Sequence, residues 1–138
     1  MKNHIATVTN IYEAFGTGNI PAIIDQLADN IQWEKWGDNS AQQAGVPWML
    51  GRTGKEGALE FFKALGELRI TEFRILSIMG NDNQAAAEII IEADVLATGG
   101  HFRDEEIHLW TFDEQGKVIR FRHYNDTAKH IAAARKNK

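Results

Sequence analysis

This sequence predicts an α+β domain with helices laid on one face of a curved antiparallel sheet, and two observations carry the prediction. Before Gly66 apolar residues recur mainly with helical spacing; after it they recur at every second position in RITEFRILSIM, QAAAEIIIEADVLAT, HFRDEEIHLWTF and KVIRFRHYND. GNDN, GG and DEQG join those four stretches, and each is a hairpin signal.

Taken in order, Ile5, Val8, Ile11, Tyr12 and Phe15 fall within about a third of a helical wheel, which predicts a first helix with one buried face. Gly16 and Gly18 can supply the positive φ that ends it, Asn19 can cap the next helix, and Pro21 sits where a missing N–H costs little. This short second helix turns Ile20, Ile23, Ile24 and Leu27 to one side. IQWEKW then alternates as a short strand, with Ile31 and Trp33 on one face and Glu34 and Trp36 on the other. From Gly37 to Arg52 no period survives, and Gly45, Pro47 and Gly51 punctuate a loop of the length that covers sites. Thr53 and Glu56 have capping-box spacing, so a third helix begins near Gly54 and buries Ala58, Phe61, Phe62 and Leu65. In the second strand of the meander Ala85, Ala87, Ile89, Ile91, Ala93 and Val95 make an apolar face opposite Glu88, Glu92 and Asp94. TAKHIAAARKNK reads as a short helix with a basic, frayed tail. The expectation is one domain over 1–138, with its core at about 5–126 and the helix and tail at 127–138. A strongly twisted sheet around three helices leaves a cone, and a cone has a cavity.

Composition narrows the function classes. A chain of 138 residues can bury a core without staples, and the absence of cysteine removes disulfides, thiolate metal sites and cysteine nucleophiles together. The expected location is the cytoplasm. MKNHIATVTN has no apolar stretch, and the longest aliphatic run is Ile89 to Ile91, so neither secretion nor a membrane span is expected. Fifteen Lys and Arg against nineteen Asp and Glu give a net charge of −4, with no overall positive field for nucleic acid.

Three segments, IYEAFGTGNIPAIIDQLADNIQW, AGVPWMLGRTGKEGALEFF and TFDEQGKVIRFRHYND, resemble the nuclear-transport-factor-2-like fold, and within it the SnoaL-like family, over about Ile5 to Asp126. The resemblance implies a cone-shaped α+β barrel with a deep apolar pocket, paired as a homodimer through the sheet. Members of that fold include polyketide cyclases, ketosteroid isomerase, limonene-type epoxide hydrolases and scytalone dehydratase, so fold does not fix reaction. Aligned on ketosteroid isomerase, Ile11 replaces the oxyanion tyrosine and Lys35 the aspartate base, while Tyr12 and Glu34 lie one residue away. Steroid isomerisation is disfavoured. Aligned on the epoxide hydrolases, Asp126 and Asp94 match the two carboxylates, but Glu92 stands where the bridging arginine would be.

Strand parity places Ile119, Phe121, His123 and Asn125 on one face of the last strand, and Phe102, Glu106, His108, Trp110 and Phe112 on one face of the strand before it. The apolar members should face the core, which carries His108 and His123 inward. Imidazole gives and takes protons near neutral pH; a buried, hydrogen-bonded neutral histidine is the bland alternative. Asp126 is either an acid or base at the cavity mouth or the cap of the final helix. Trp33, Trp36, Trp48 and Trp110, with Tyr12, Phe62 and Phe121, are read as a ligand-binding aromatic wall or as core. Arg122 belongs to a rim or subunit contact, and the run Arg103 to Glu106 to a solvated strand face. No metal is expected, since no HExxH-type spacing occurs, and neither Ser40 nor Ser77 sits in a nucleophile context. Ile90, Leu96 and Val118 are the apolar surface expected to form the dimer. The resulting expectation is a cofactor-independent acid–base enzyme, of cyclase, isomerase, dehydratase or hydrolase type, acting on a small apolar carbonyl-containing molecule. A non-catalytic binding or dimerising module is the alternative.

Overall fold

The structure is a computed structural model that describes residues 3–135. Asparagine caps set its first two helices. In α1 (His4–Gly16) Asn3 Oδ1 accepts from the Ala6 N–H at 2.9 Å, and in α2 (Ile20–Ile24) Asn19 Oδ1 accepts from the Ala22 N–H at 3.3 Å. Gly18, at φ 74°, makes the reversal between them. Leu27, expected on the second helix, instead opens β1 (Leu27–Trp33). The unpatterned stretch that follows is partly ordered as α3 (Ser40–Gln43), a 3-10 turn (Pro47–Met49) and β2 (Arg52–Thr53). Then comes α4 (Gly54–Leu65), which starts where the sequence places it although the Thr53 side chain makes no capping bond. The meander is β3 (Leu68–Gly80), β4 (Gln84–Val95), β5 (Gly100–Phe112) and β6 (Val118–Tyr124), and α5 (Thr127–Arg135) closes the chain. The expected tail beyond Arg135 lies outside the described residues.

The strands form one curved, unclosed sheet in the order β2-β1-β6-β5-β4-β3. β3 to β6 pair antiparallel in sequence order, whereas β1 joins β6 in parallel and sets Trp33 beside Phe121. α1 packs on β3 and β4, α4 on β1 and β2, and α5 on β5. No described helix is long and apolar enough to cross a membrane.

Period-two burial governs the sheet. Ala85, Ala87, Ile89, Ile91, Ala93 and Val95 of β4 are buried and Glu88 is exposed. On β5 the inward face is Phe102, Asp104, Glu106, Trp110 and Phe112, so the run 103–106 is not a solvated face: its alternate members Asp104 and Glu106 are buried. Arg103 faces out instead, among a lattice in which Arg69 and His101 meet Asp94, His101 also meets Glu92, and Arg103 meets Glu72. Asp94 and Glu92 are therefore spent outside the cone, far from the roles the epoxide-hydrolase alignment gives them.

Two local features position the interior groups. At Gly100 an added Cβ would stand 2.1 Å from the Ala133 carbonyl oxygen, so only glycine lets α5 lie against β5. The Thr98 hydroxyl donates to that same carbonyl at 2.7 Å. At Glu34, immediately after β1, φ is +56°, a left-handed step that costs a non-glycine residue about 1–2 kcal/mol. It breaks the expected alternation, and Glu34 follows buried Trp33 into the interior with no exposed surface. Arg122, read from sequence as a rim or subunit contact, fixes this turn by donating to the Lys35 carbonyl at 2.9 and 2.6 Å while its guanidinium lies 4.4 Å over the Trp36 ring.

Candidate functional site

Between the helices and the inner sheet face lies a cavity of about 70 Å³. Tyr12, Trp33, Trp48, Phe62, Trp110 and Phe121 line it, as do His108 and His123. Trp36 and Asp126 do not. Trp36 is half-buried on the outer turn, where its indole N–H donates to Glu34 Oε1 at 2.7 Å. Asp126 is exposed ahead of α5 and contributes its backbone N–H, which donates to Asp104 Oδ2 at 3.1 Å.

The aromatic part is a cluster centred on Trp33 and Phe121, whose ring centroids are 4.4 Å apart, with Trp110 4.4 Å from Phe121 and Phe61 5.0 Å from Trp33. Offset and edge-on rings at these distances are the favourable geometries for aromatic pairs.

The polar part begins on β5, where residues 104, 106 and 108 share the inward face. Trp110 Nε1 donates to the Tyr12 hydroxyl at 3.1 Å, Tyr12 lies 2.8 Å from His108 Nδ1, and His108 Nε2 lies 3.1 Å from Glu106 Oε1. The Glu106 carboxylate can only accept, so in the neutral ring the His108 proton sits on Nε2 and the Tyr12 hydroxyl, which accepts from the Trp110 indole, donates to Nδ1. Burial lowers the proton affinity of His108, against the opposing pull of Glu106, and so supports this neutral ring. Burial also pushes the Tyr12 phenol far up, so it stays protonated.

His130, on α5, approaches the same carboxylate from the other side. Its Nε2 is 2.8 Å from Asp104 Oδ2 and 3.1 Å from Glu106 Oε2, and Trp48 Nε1 donates to its Nδ1 at 2.8 Å. Burial lowers this imidazole and its carboxylate partners raise it further than burial lowers it. The Trp48 N–H nonetheless requires a lone pair on Nδ1, so the ring with one proton, on Nε2, satisfies every contact. Burial alone would raise Glu106, but the hydrogen bonds from His108 and His130 outweigh it and hold this carboxyl well below the usual range. Asp104, Glu106 and His130 offer ligand atoms within 4.8 Å of one another, as a metal site would. The donor set does not suit one: a cation on His130 Nε2 would leave the ring proton on Nδ1, pointing at the N–H of Trp48.

The second polar unit joins β1 to β6. Glu34 Oε2 accepts from the His123 backbone N–H at 2.9 Å and is in direct contact with His123 Nδ1. Burial opposes a charge on His123, but the Glu34 carboxylate, then Glu106 and Asp104, outweigh it and raise the imidazole to about 9. It is a cation at neutral pH. Its Nε2 has no hydrogen-bond partner among the described residues, and the ring lines the cavity 5.7 Å from His108, its partner across the β5–β6 ladder.

Sequence reasoning missed Glu34, Asp104 and His130. Asp104 shares strand parity with Glu106 and His108, a signal present in the sequence but outweighed by the appearance of a charge run. Alignment marks Glu34 only as lying one residue from the base position, strand alternation places it on the face opposite Trp33, and nothing in the local sequence of His130 marks it.

The model of the SnoaL-like domain matches residues 8–121. The chain belongs to the SnoaL-like family. No curated protein matches it. Among solved structures, this SnoaL-like chain is similar to a nuclear-transport-factor-2-like protein of Burkholderia thailandensis, at 20% identity and TM-score 0.80 over 96% of this chain and 98% of that one. It is also similar to a candidate polyketide cyclase of Pseudomonas putida, at 18% identity and TM-score 0.72 over 96% and 98%. A third is TerC, co-crystallised with polyporic acid, at 18% identity and TM-score 0.74 over 95% and 97%. At such identities the likeness establishes the fold.

Proposed function

We propose that this SnoaL-like domain is a cofactor-independent acid–base enzyme that moves a proton next to the carbonyl of a small, largely apolar molecule. The observation that carries the reading is His123, a buried cavity-lining imidazole held through Nδ1 and, against burial, raised to about 9 by Glu34, with no partner for Nε2 among the described residues. Nε2–H donates to the carbonyl oxygen and stabilises the negative charge that develops there when the neighbouring carbon loses its proton. Glu106, the carboxylate on the cavity wall, receives that proton. Its two imidazole donors make it a weak base, so the substrate must have an activated C–H, flanked by a carbonyl and a second electron-withdrawing group or a double bond. His108 is a positioning residue, since both its nitrogens are engaged, and Asp126 stands outside the machinery. Co-crystallisation of TerC, a structure of the same fold, with polyporic acid supports small-molecule binding.

Isomerisation of cyclohex-3-enone to its conjugated isomer, followed by ultraviolet absorbance, tests the reading on a probe with the required C–H. The protein should accelerate it, and His123→Asn should lower turnover by about two to four orders of magnitude with the fold intact. Binding of the enone without acceleration would instead support a binding module, in which His123→Asn changes affinity alone.

A further inference from the structure

His130 is drawn toward two protonation states at once. Its Nε2 meets Asp104 Oδ2 at 2.8 Å and Glu106 Oε2 at 3.1 Å, and two carboxylates on one side of an imidazole invite a second proton onto the ring. On the other side Trp48 Nε1 donates to Nδ1 at 2.8 Å, and an indole has no lone pair with which to meet an N–H there. The contest takes place out of water, since His130 is 1% and Trp48 2% exposed. From β6 the ring faces His123, 6.4 Å away and itself a cation paired with Glu34, which opposes a further positive charge. α3 and the 3-10 turn bring no titratable group, and Asp126, Lys129 and Arg135 at and along α5 are exposed. The Trp48 N–H is thus the neutral group that decides for one proton.

We infer that Trp48 is a positioning residue for Glu106, acting through His130: its N–H keeps Nδ1 free of a proton, so that His130 gives Asp104 and Glu106 a hydrogen bond and no positive charge. This role rests on the acid–base reading, in which Glu106 is the base, and names what sets the strength of that base. Glu106 already accepts from two imidazoles. Were one of them an imidazolium, the carboxylate would be stabilised further and would take a proton from carbon less readily. The same role accounts for a tryptophan at position 48. Its ring lies against Phe102, with centroids 5.9 Å apart and planes 21° from parallel, a contact that phenylalanine could also make; only the indole adds an N–H. The partner is held in place independently, because Gly100 and the Thr98 hydroxyl fix α5 against β5 at Ala133, one turn beyond His130.

Trp48→Phe removes the N–H and keeps a ring against Phe102. Nitrogen NMR of His130 should show Nε2 protonated and Nδ1 bare in the wild type at neutral pH, and the variant should take up its second proton at a midpoint about one to two pH units higher than the wild type. Turnover of cyclohex-3-enone reads the effect on Glu106. The ratio of variant to wild-type turnover, in which the titration of His123 cancels, should be about three- to tenfold down below the variant's His130 midpoint and should climb as pH rises through it, because the cation is lost there. A packing defect, or an altered cavity wall, would lower the ratio equally at every pH. Repeating the comparison in a His130→Gln background, where the side chain still donates to the carboxylates but cannot take a second proton, should give a flat ratio. Two protons on wild-type His130 at neutral pH, a midpoint that does not rise in Trp48→Phe, or a ratio independent of pH would overturn the inference. Should Trp48→Phe not fold, the protonation of His130 in the wild type decides alone. If the wild type does not accelerate the enone, the acid–base reading fails, while a raised midpoint in Trp48→Phe still shows that Trp48 holds His130 neutral.

Discussion

Glu34→Gln tests the electrostatics of the site with the smallest change of shape. Glu34 is wholly buried, its two oxygens are occupied by the His123 side chain and backbone and by the Trp36 indole, and glutamine occupies the same volume without the charge. Against burial, Glu34 is the largest of the influences that raise His123 from 6.5 to about 9. At 1.36 kcal/mol per pH unit that rise corresponds to about 3 kcal/mol. A histidine raised on folding contributes stability that is complete below its unfolded value of 6.5 and is lost as pH climbs through about 9. Wild-type stability should therefore fall by about 3 kcal/mol between pH 6.5 and a pH above 9, and Glu34→Gln should abolish that slope by returning His123 to a midpoint below 6.5. NMR titration of the His123 ring protons gives the midpoint, and urea unfolding at both ends of the range gives the stability. A midpoint that stays near 9 in Glu34→Gln, or a wild-type midpoint at or below 6.5, would refute the reasoning.

Gly100→Ala should destabilise the protein by about 2–3 kcal/mol, because its Cβ would stand 2.1 Å from a backbone oxygen of α5; urea unfolding within about 0.5 kcal/mol of wild type would show that α5 does not pack there. Sedimentation should give a particle of twice the 15.5 kDa chain mass, through an outer sheet face that carries Met79 and Ile107; Val118 and Ile90, expected there from sequence, are buried instead, and a monomer at micromolar concentration would count against the pairing. Dialysis against a chelator should leave the melting temperature unchanged, and a stoichiometric ion retained on Asp104, Glu106 and His130 would contradict the wrong-way donor of Trp48.

How much of this was legible in the sequence depended on how far each residue obeys a simple period. On β4 the odd-numbered residues from Ala85 to Val95 are apolar, so that buried face could be listed residue by residue, and Phe121 and His123 shared a face for the same reason; Ile90, buried from the other face, was not foreseen. Glu34 escaped because one left-handed residue inverts strand parity, and nothing in Trp-Glu-Lys announces a positive φ. His130 escaped because α5 looks weakly amphipathic, and the glycine that draws it onto β5 lies thirty residues earlier at a position that reads as a turn. Asp126, read as either an acid or base at the cavity mouth or the cap of the final helix, neighbours the interior in sequence, but only its backbone reaches a buried group. Local pattern encodes which face a residue takes, while contacts between distant segments decide which charges meet.

The hydrogen bonds around Glu106 all point the same way. From one side the order is Trp110, Tyr12, His108; from the other it is Trp48, His130; and each line starts at an indole, which has a proton to offer and no lone pair to receive one. A proton that lands on Glu106 consequently has no outlet along either line, because passing it on would require an indole nitrogen to accept. It can only go back to the molecule it came from. The site should therefore behave as a closed account for hydrogen: with cyclohex-3-enone deuterated between its carbonyl and its double bond, the label should reappear at the far end of the conjugated product, and the same reaction run on unlabelled substrate in D₂O should take up little deuterium.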